Sequence, residues 1–283
     1  MGKTTCTALL CRVLSGAGYR VLAVDLDRCQ YHLSTLLGGS PSPGLCNPGA
    51  PTTHASGVLS HLLRTTACKT LEYITLCDSL CDTSSRDVFQ LRKRFEFFNF
   101  SSRYDYVLID TPPGFGTVHE LALHASDHII VPTDLSPISL SVVKRFCAEL
   151  DTRPCLSAVR CHILRHFLVP STSAAHETSD LHRAVNGRIS SHSLSAHDRI
   201  RTVTSGCPDF LELPLPRRIV SQLVLIAADL LNADRARLEN AASGLCGLDY
   251  AESQKERAST AIDGLLNTPP TVILASDYSV SAS

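Results

Sequence analysis

At 283 residues, with 44% hydrophobic and 19% charged residues, the chain has room for one large α/β domain plus some tail, or for two small domains. That composition excludes global disorder. The net charge of −1 gives no overall pull toward nucleic acid or anionic lipid, so any such binding must come from a local patch or from one assembled by dimerisation.

In chain order, Thr4 to Leu14 has a helical apolar pattern that stops at Gly16-Ala17-Gly18. Tyr19 to Val24 is an apolar run without alternation, as in a strand buried on both faces, and it ends in Asp25-Leu26-Asp27. Gly38 to Pro51 is a loop by its Gly, Pro and Ser content. A helix is expected near Gly57 to Thr65, a strand at Leu71 to Cys77, and a helix from Arg86 to Phe100. The clearest strand is Tyr104 to Ile109, delivering Asp110 into the rigid turn Thr111-Pro112-Pro113-Gly114. Then follow a helix at Val118 to His124, a strand at Asp127 to Val131, a helix at Ile138 to Leu150 and a strand within Ala158 to Val169. Ser171 to His197 gives no clear pattern. Arg218 to Leu231 is an amphipathic helix, the chain beyond Asn232 turns polar, and the last fifteen residues read as a loose tail. Strands alternating with helices at this spacing predict a doubly wound α/β sheet, mostly parallel and flanked by helices. The expected division is a domain over 1–245 and a polar, partly disordered tail over 246–283.

The twelve cysteines are scattered and form no C-x-x-C pair, and the N-terminus lacks the pattern of a secretory signal. Reduced cytosolic thiols are therefore expected, rather than a disulfide framework or a zinc site. No apolar run reaches the ~18 residues that span a bilayer, so no stable membrane insertion is expected and the predicted location is cytoplasmic.

Three segments carry chemistry. Gly2-Lys3-Thr4-Thr5 opens a helix directly, and a phosphate loop needs a Lys for the β- and γ-phosphates, a hydroxyl for Mg²⁺ and a helix N-terminus. Alone, the tetrad is weak. Asp25 and Asp27 stand at the carboxyl end of a strand, where open α/β sheets bind ligands, although loop or capping roles would look the same. Asp110, at the end of its strand, has the arrangement of a residue that holds a Mg²⁺-bound water beside phosphates.

Taken in order, GKTT, VLAVDLD, YDYVLIDTPPGFG and DHIIVPT resemble the ParA/MinD group of P-loop ATPases, of the deviant Walker A type. The resemblance runs from Gly2 to about Leu150 and more faintly to Leu231. It implies ATP and Mg²⁺ as cofactors, with Gly2, Lys3, Thr4 and Thr5 at the phosphates and Thr4 and Asp110 at the metal. It also implies Asp27 orienting the attacking water, Lys3 as its catalytic companion, Gly114 and Gly116 in a nucleotide-sensing switch, and Pro214 in the adenine-side region.

The family's loop reads K-G-G-x-G-K-T-T after a strand, and here Met1 stands at the x position. Two accounts are open: a start site farther upstream, which is preferred, or a shortened and inactive protein. The strand-like Thr271-Val-Ile-Leu-Ala275 is weighed as a filler for the missing strand and set aside.

Within the group, the Asp110 to Gly116 turn lacks the cysteines of nitrogenase-iron-protein relatives, and the C-terminal C-x-x-C of Mrp-type carriers is missing. After Lys255 and Arg257 the end of the chain has no further base, which disfavours a MinD-type membrane tail. What remains is a nucleoid-associated ATPase of plasmid or chromosome partitioning. The expected partners are a second copy in an ATP-dependent homodimer, a ParB-like DNA-binding adaptor, and non-specific DNA, for which Arg217 and Arg218 are candidate contacts unless they are simply a solvated pair at a helix start. The competing expectation is a non-hydrolysing regulatory protein of the same fold.

Overall fold

A computed structural model gives the fold, describing residues 2–27, 32–39, 62–75, 86–114, 116–168, 185, 187–196, 210–246 and 271–274. The elements are α1 (Lys3–Gly16), β1 (Val21–Asp25), α2 (His32–Leu36), β2 (Arg64–Thr65), β3 (Leu71–Thr75), α3 (Gln90–Phe97) and α4 (Phe100–Arg103). They continue with β4 (Tyr106–Asp110), α5 (Thr117–His124), β5 (His128–Thr133), α6 (Pro137–Asp151), β6 (Arg160–Leu168), β7 (Ile189–Ser195), α7 (Arg217–Leu231), α8 (Arg235–Cys246) and β8 (Thr271–Leu274).

The strands form one eight-stranded sheet in the order β2-β3-β1-β4-β8-β5-β6-β7. Every pairing is parallel except β2 with β3. Along β1 the apolar side chains divide between the faces, as period-2 geometry requires. Val21 and Ala23 join a core with α1, α2, α7 and α8, whereas Leu22 and Val24 join the opposite core with α3, α5 and α6. Burial on both faces is why these strands read as continuous apolar runs. α1 is buried on all sides from Thr5 to Ser15, whereas α7 buries one stripe, Ile219, Val220, Leu223, Val224, Ile226, Ala227, Leu230 and Leu231, as its pattern predicts.

No described strand precedes α1, and the place between β4 and β5 is taken by β8. Thr271 to Leu274, set aside on sequence grounds and assigned to the tail, is thus a central strand. Its register partners are Val107 to Asp110 on one side and His128 to Ile130 on the other. The sheet therefore extends past the expected boundary at residue 245. The physical reason is the backbone. Two strands this deep in the core cannot leave facing N–H and C=O groups unpaired, at about 1–3 kcal/mol for each group.

Other expectations shift. The helix from Arg86 to Phe100 is interrupted at Asn99, whose φ of 53° is left-handed, and resumes as the single turn α4. Arg64 and Thr65, the end of an expected helix, are the antiparallel edge strand β2, while most of that helix and of the 38–51 loop lies outside the described residues. The patternless 171–197 stretch holds β7, and the polar region after Asn232 holds α8.

Candidate functional site

The candidate site lies at the carboxyl ends of β1 and β4 and the N-terminus of α1. Gly2, immediately before the helix, has φ of 94°, a conformation that L side chains rarely adopt. A Cβ at that position would also stand 2.7 Å from the ring of His166, the buried β6 residue behind it. Both constraints make Gly2 the residue that lets the chain turn into α1. The helix then presents Lys3, Thr4 and Thr5 in its first turn, with Lys3 and Thr5 largely buried.

Parallel pairing sets Asp25 beside Asp110 in register. Asp25 is fully buried and its carboxylate is used up locally. Its Oδ1 accepts the backbone N–H of Asp27 at 3.0 Å, and its Oδ2 accepts the N–H and hydroxyl of Ser34 at 3.0 and 2.8 Å. Burial raises its pKa against those hydrogen bonds, with Asp27 adding to the rise. This carboxylate ties β1 to α2.

Asp110 differs. Burial pushes its pKa up to about 7, the nearby Asp25 and Asp27 add to that, and the Thr4 hydroxyl bond and Lys3 pull the other way. Its Oδ1 is buried with no hydrogen-bond partner among the described residues. An orphaned carboxylate oxygen, bonded through its neighbour to a hydroxyl and flanked by more carboxylates, is short of a cation. The residues present therefore fit Mg²⁺, with Thr4 and Asp110 as the groups that would hold it. Lys3 reaches the same cluster, as its influence on Asp110 shows.

Residues 1–153 match a family model described as AAA domain. The chain belongs to this family. Its fold is that of the ParA/MinD-type P-loop ATPases. It is similar to the MinD cell division protein of Aquifex aeolicus at 18% identity and a TM-score of 0.61, over 82% of this chain and 92% of that one. Apo McdA of Cyanothece gives 19% identity and a TM-score of 0.58, over 86% and 94%. A putative plasmid partition protein of Borrelia burgdorferi bound to AMPPNP gives 16% and 0.57, over 78% and 90%. No curated protein sequence matches significantly. Structures of the ParA/MinD type include ATP, AMPPNP and Mg-ADP complexes, so nucleotide and Mg²⁺ binding belong to the family.

Of the residues singled out in the sequence, Lys3, Thr4, Asp25, Asp27 and Asp110 are brought together, with Gly2 and Thr5 in the same helix start. Pro214 is not. It is exposed, and its neighbour Leu213 is held through its carbonyl by Arg12, nine residues and about 14 Å along α1 from Lys3. Gly114 has φ of 90° with open space around it, as a movable turn requires, whereas Gly116 is extended and has no special need for glycine.

Two histidines were missed. His119, in the first turn of α5, is buried beside Lys3, bonds the Pro112 backbone, and is lowered to about pKa 4 by burial and then by Lys3. It is neutral at pH 7 and ties the helix to the Asp110 turn. The other, His166, backs Gly2 and faces Asp134. Burial raises Asp134, but hydrogen bonds from Ser139 and Ser136 prevail and hold it at about 2. The position of His119, nine residues past Asp110, was a visible signal; that of His166 depended on β6 crossing behind the loop.

Proposed function

We propose that this chain is a partitioning ATPase that binds ATP with Mg²⁺ at the N-terminus of α1, hydrolyses it, and acts in plasmid or chromosome segregation. The observation that carries the nucleotide reading is the Asp110 carboxylate, buried, half-orphaned, bonded to Thr4 and adjacent to Lys3. In this reading Lys3 binds the β- and γ-phosphates, and the α1 N–H groups and dipole receive the anion. Bound Mg²⁺ would supply charge neutralisation at the phosphates. Asp27 holds the attacking water, while Asp25 keeps Asp27 placed through its N–H. His119, neutral, restrains the Asp110 turn without adding charge.

Likeness to a protein named as a plasmid partition protein supports the segregation role, and likeness to MinD keeps the wider family in view. The exposed Arg217 and Arg218 at the start of α7 are the proposed DNA contacts. The partners are a second copy, in an ATP-dependent dimer, and a ParB-like adaptor.

The test is calorimetric binding of Mg-ATP and phosphate release, for the chain and for Lys3→Ala. Binding and turnover lost on substitution support the enzyme; binding without turnover assigns the regulatory alternative; no binding by the unsubstituted chain refutes both. Retention on non-specific DNA should need ATP and weaken steeply with salt, and retention indifferent to nucleotide would remove the partitioning role.

A further inference from the structure

Two thiols meet at the edge of the sheet opposite the candidate nucleotide site. Cys161 is the second residue of β6, at the amino end of the strand, and Cys147 lies near the end of α6. Both belong to the core that also holds Ile129, Phe146 and Leu156. There the Cys161 thiol is hydrogen-bonded to the Cys147 sulfur. Both are free cysteines, buried, with no part in binding the nucleotide.

Their surroundings differ from those of an inert pair. Arg188, the residue before β7, donates to the Cys147 carbonyl at 3.5 Å and to Asp151 Oδ1 at 2.6 Å. Held in this way, its guanidinium acts on both sulfurs. The bond from Cys161 holds Cys147 below the ordinary thiol range against burial, and Arg188 helps. The same bond, followed by burial, pushes Cys161 well up. One sulfur therefore favours the thiolate while the other keeps its proton. A cavity of about 230 Å³ runs past Asp151, Arg153, Leu156 and Ser157 to Cys161 and Arg188. That is well above the ~10–15 Å³ that admits one water, so a small oxidant fits.

We infer that Cys147 and Cys161 are a redox modification site, in which a hydroperoxide entering by this cavity converts the pair into a disulfide between α6 and β6. The Cys147 sulfur attacks one oxygen of hydrogen peroxide, the O–O bond breaks, and the other oxygen leaves as water with the Cys147 proton. Cys147 is then a sulfenic acid. The Cys161 sulfur attacks it, the S–O bond breaks, and the hydroxide leaves as water with the Cys161 proton. The two thiols give up two electrons, and one peroxide becomes two waters. A thiol reductant restores both cysteines by exchange. The bond ties the end of α6 to β6, the strand that carries His166 behind Gly2.

Hydrogen peroxide added to the reduced, intact chain tests this. Remaining thiols are blocked with N-ethylmaleimide, and a non-reducing digest is read by mass spectrometry. Trypsin together with a protease that cuts before aspartate separates Cys147 from Cys155 at Asp151. The expected product is a peptide pair linked through Cys147 and Cys161 and released by dithiothreitol. It should form at least about tenfold faster than the buried Cys6 is oxidised. In Cys161→Ser, dimedone should instead trap a sulfenic acid on Cys147. Cys147 and Cys161 recovered as free thiols at a dose that oxidises the exposed Cys155 would overturn the inference. A link that forms no faster in the folded chain than in denaturant would overturn it too, because the pairing would then owe nothing to the fold. A linked wild type with no dimedone adduct at Cys147 in Cys161→Ser would overturn the assignment of Cys147 as the attacking sulfur.

Discussion

Asp25 and Asp110 are register partners on adjacent parallel strands, yet one carboxylate is fully engaged and the other is left with a bare oxygen. The difference arises one residue layer away, where α2 delivers Ser34 to Asp25 and no described residue is delivered to Asp110 Oδ1.

Asp110 should make stability depend on pH. Its folded pKa of about 7 lies above the ordinary 3.8, so the protonated form favours folding. That contribution is complete below pH ~4 and is lost as pH rises through ~7, amounting to on the order of 2–4 kcal/mol. Asp110→Asn should flatten this profile in urea titrations of the nucleotide-free protein between pH 5 and pH 8. A variant that keeps the wild-type slope would show that another group causes it. Because proton and metal compete for one oxygen, Mg²⁺-dependent nucleotide affinity should fall as pH drops below ~7.

Ser34→Ala should cost about 1–3 kcal/mol by depriving the buried Asp25 Oδ2 of its hydroxyl donor. Chemical denaturation measures it. Activity should be reduced only through the position of Asp27, so KM for ATP should move less than kcat.

Lys3→Ala should lower nucleotide affinity at least about tenfold. It should also raise the Asp110 pKa further, since Lys3 is a cation that opposes the rise. Carbon-detected NMR of the Asp110 carboxyl, titrated in both proteins, checks the direction.

Thiol reactivity should be graded. Cys155 is exposed, while Cys6 and Cys11 are buried in α1, and burial raises both, Cys6 to about 12. Iodoacetamide at pH 8 should alkylate Cys155 and leave Cys6 and Cys11 intact until denaturant is added, as read by peptide mass spectrometry. Early labelling of Cys6 would mean that the first turns of α1 open readily.

Much of the architecture was legible because parallel strands buried on both faces announce themselves as apolar runs ending in Asp25 or Asp110. The grouping of Asp25, Asp27 and Asp110 was legible from strand ends, and Lys3 and Thr4 came from the Gly2-Lys3-Thr4-Thr5 helix start read with the family resemblance. What escaped had partners remote in sequence. Ile189–Ser195 mixes Ser and His into a strand that, among the described residues, pairs with β6 alone, and α8 has a mainly polar surface around Leu238, Ala242 and Leu245. Thr271–Leu274 is four residues in polar surroundings, and its neighbours Val107 and His128 lie far upstream. Pro214 was expected on the adenine side by family likeness alone, and the Arg12 guanidinium bound to the Phe210 and Leu213 carbonyls ties that turn to the middle of α1.

Because Val107 pairs with Thr271, the middle of the sheet is stitched by contacts of very long sequence separation. During synthesis, β4 and β5 emerge well before the strand that lies between them. Pairings of such separation form late, so folding should be slow and susceptible to mispairing. Chaperone dependence during translation, relieved once residues near 271 have left the ribosome, is the kinetic signature of that arrangement.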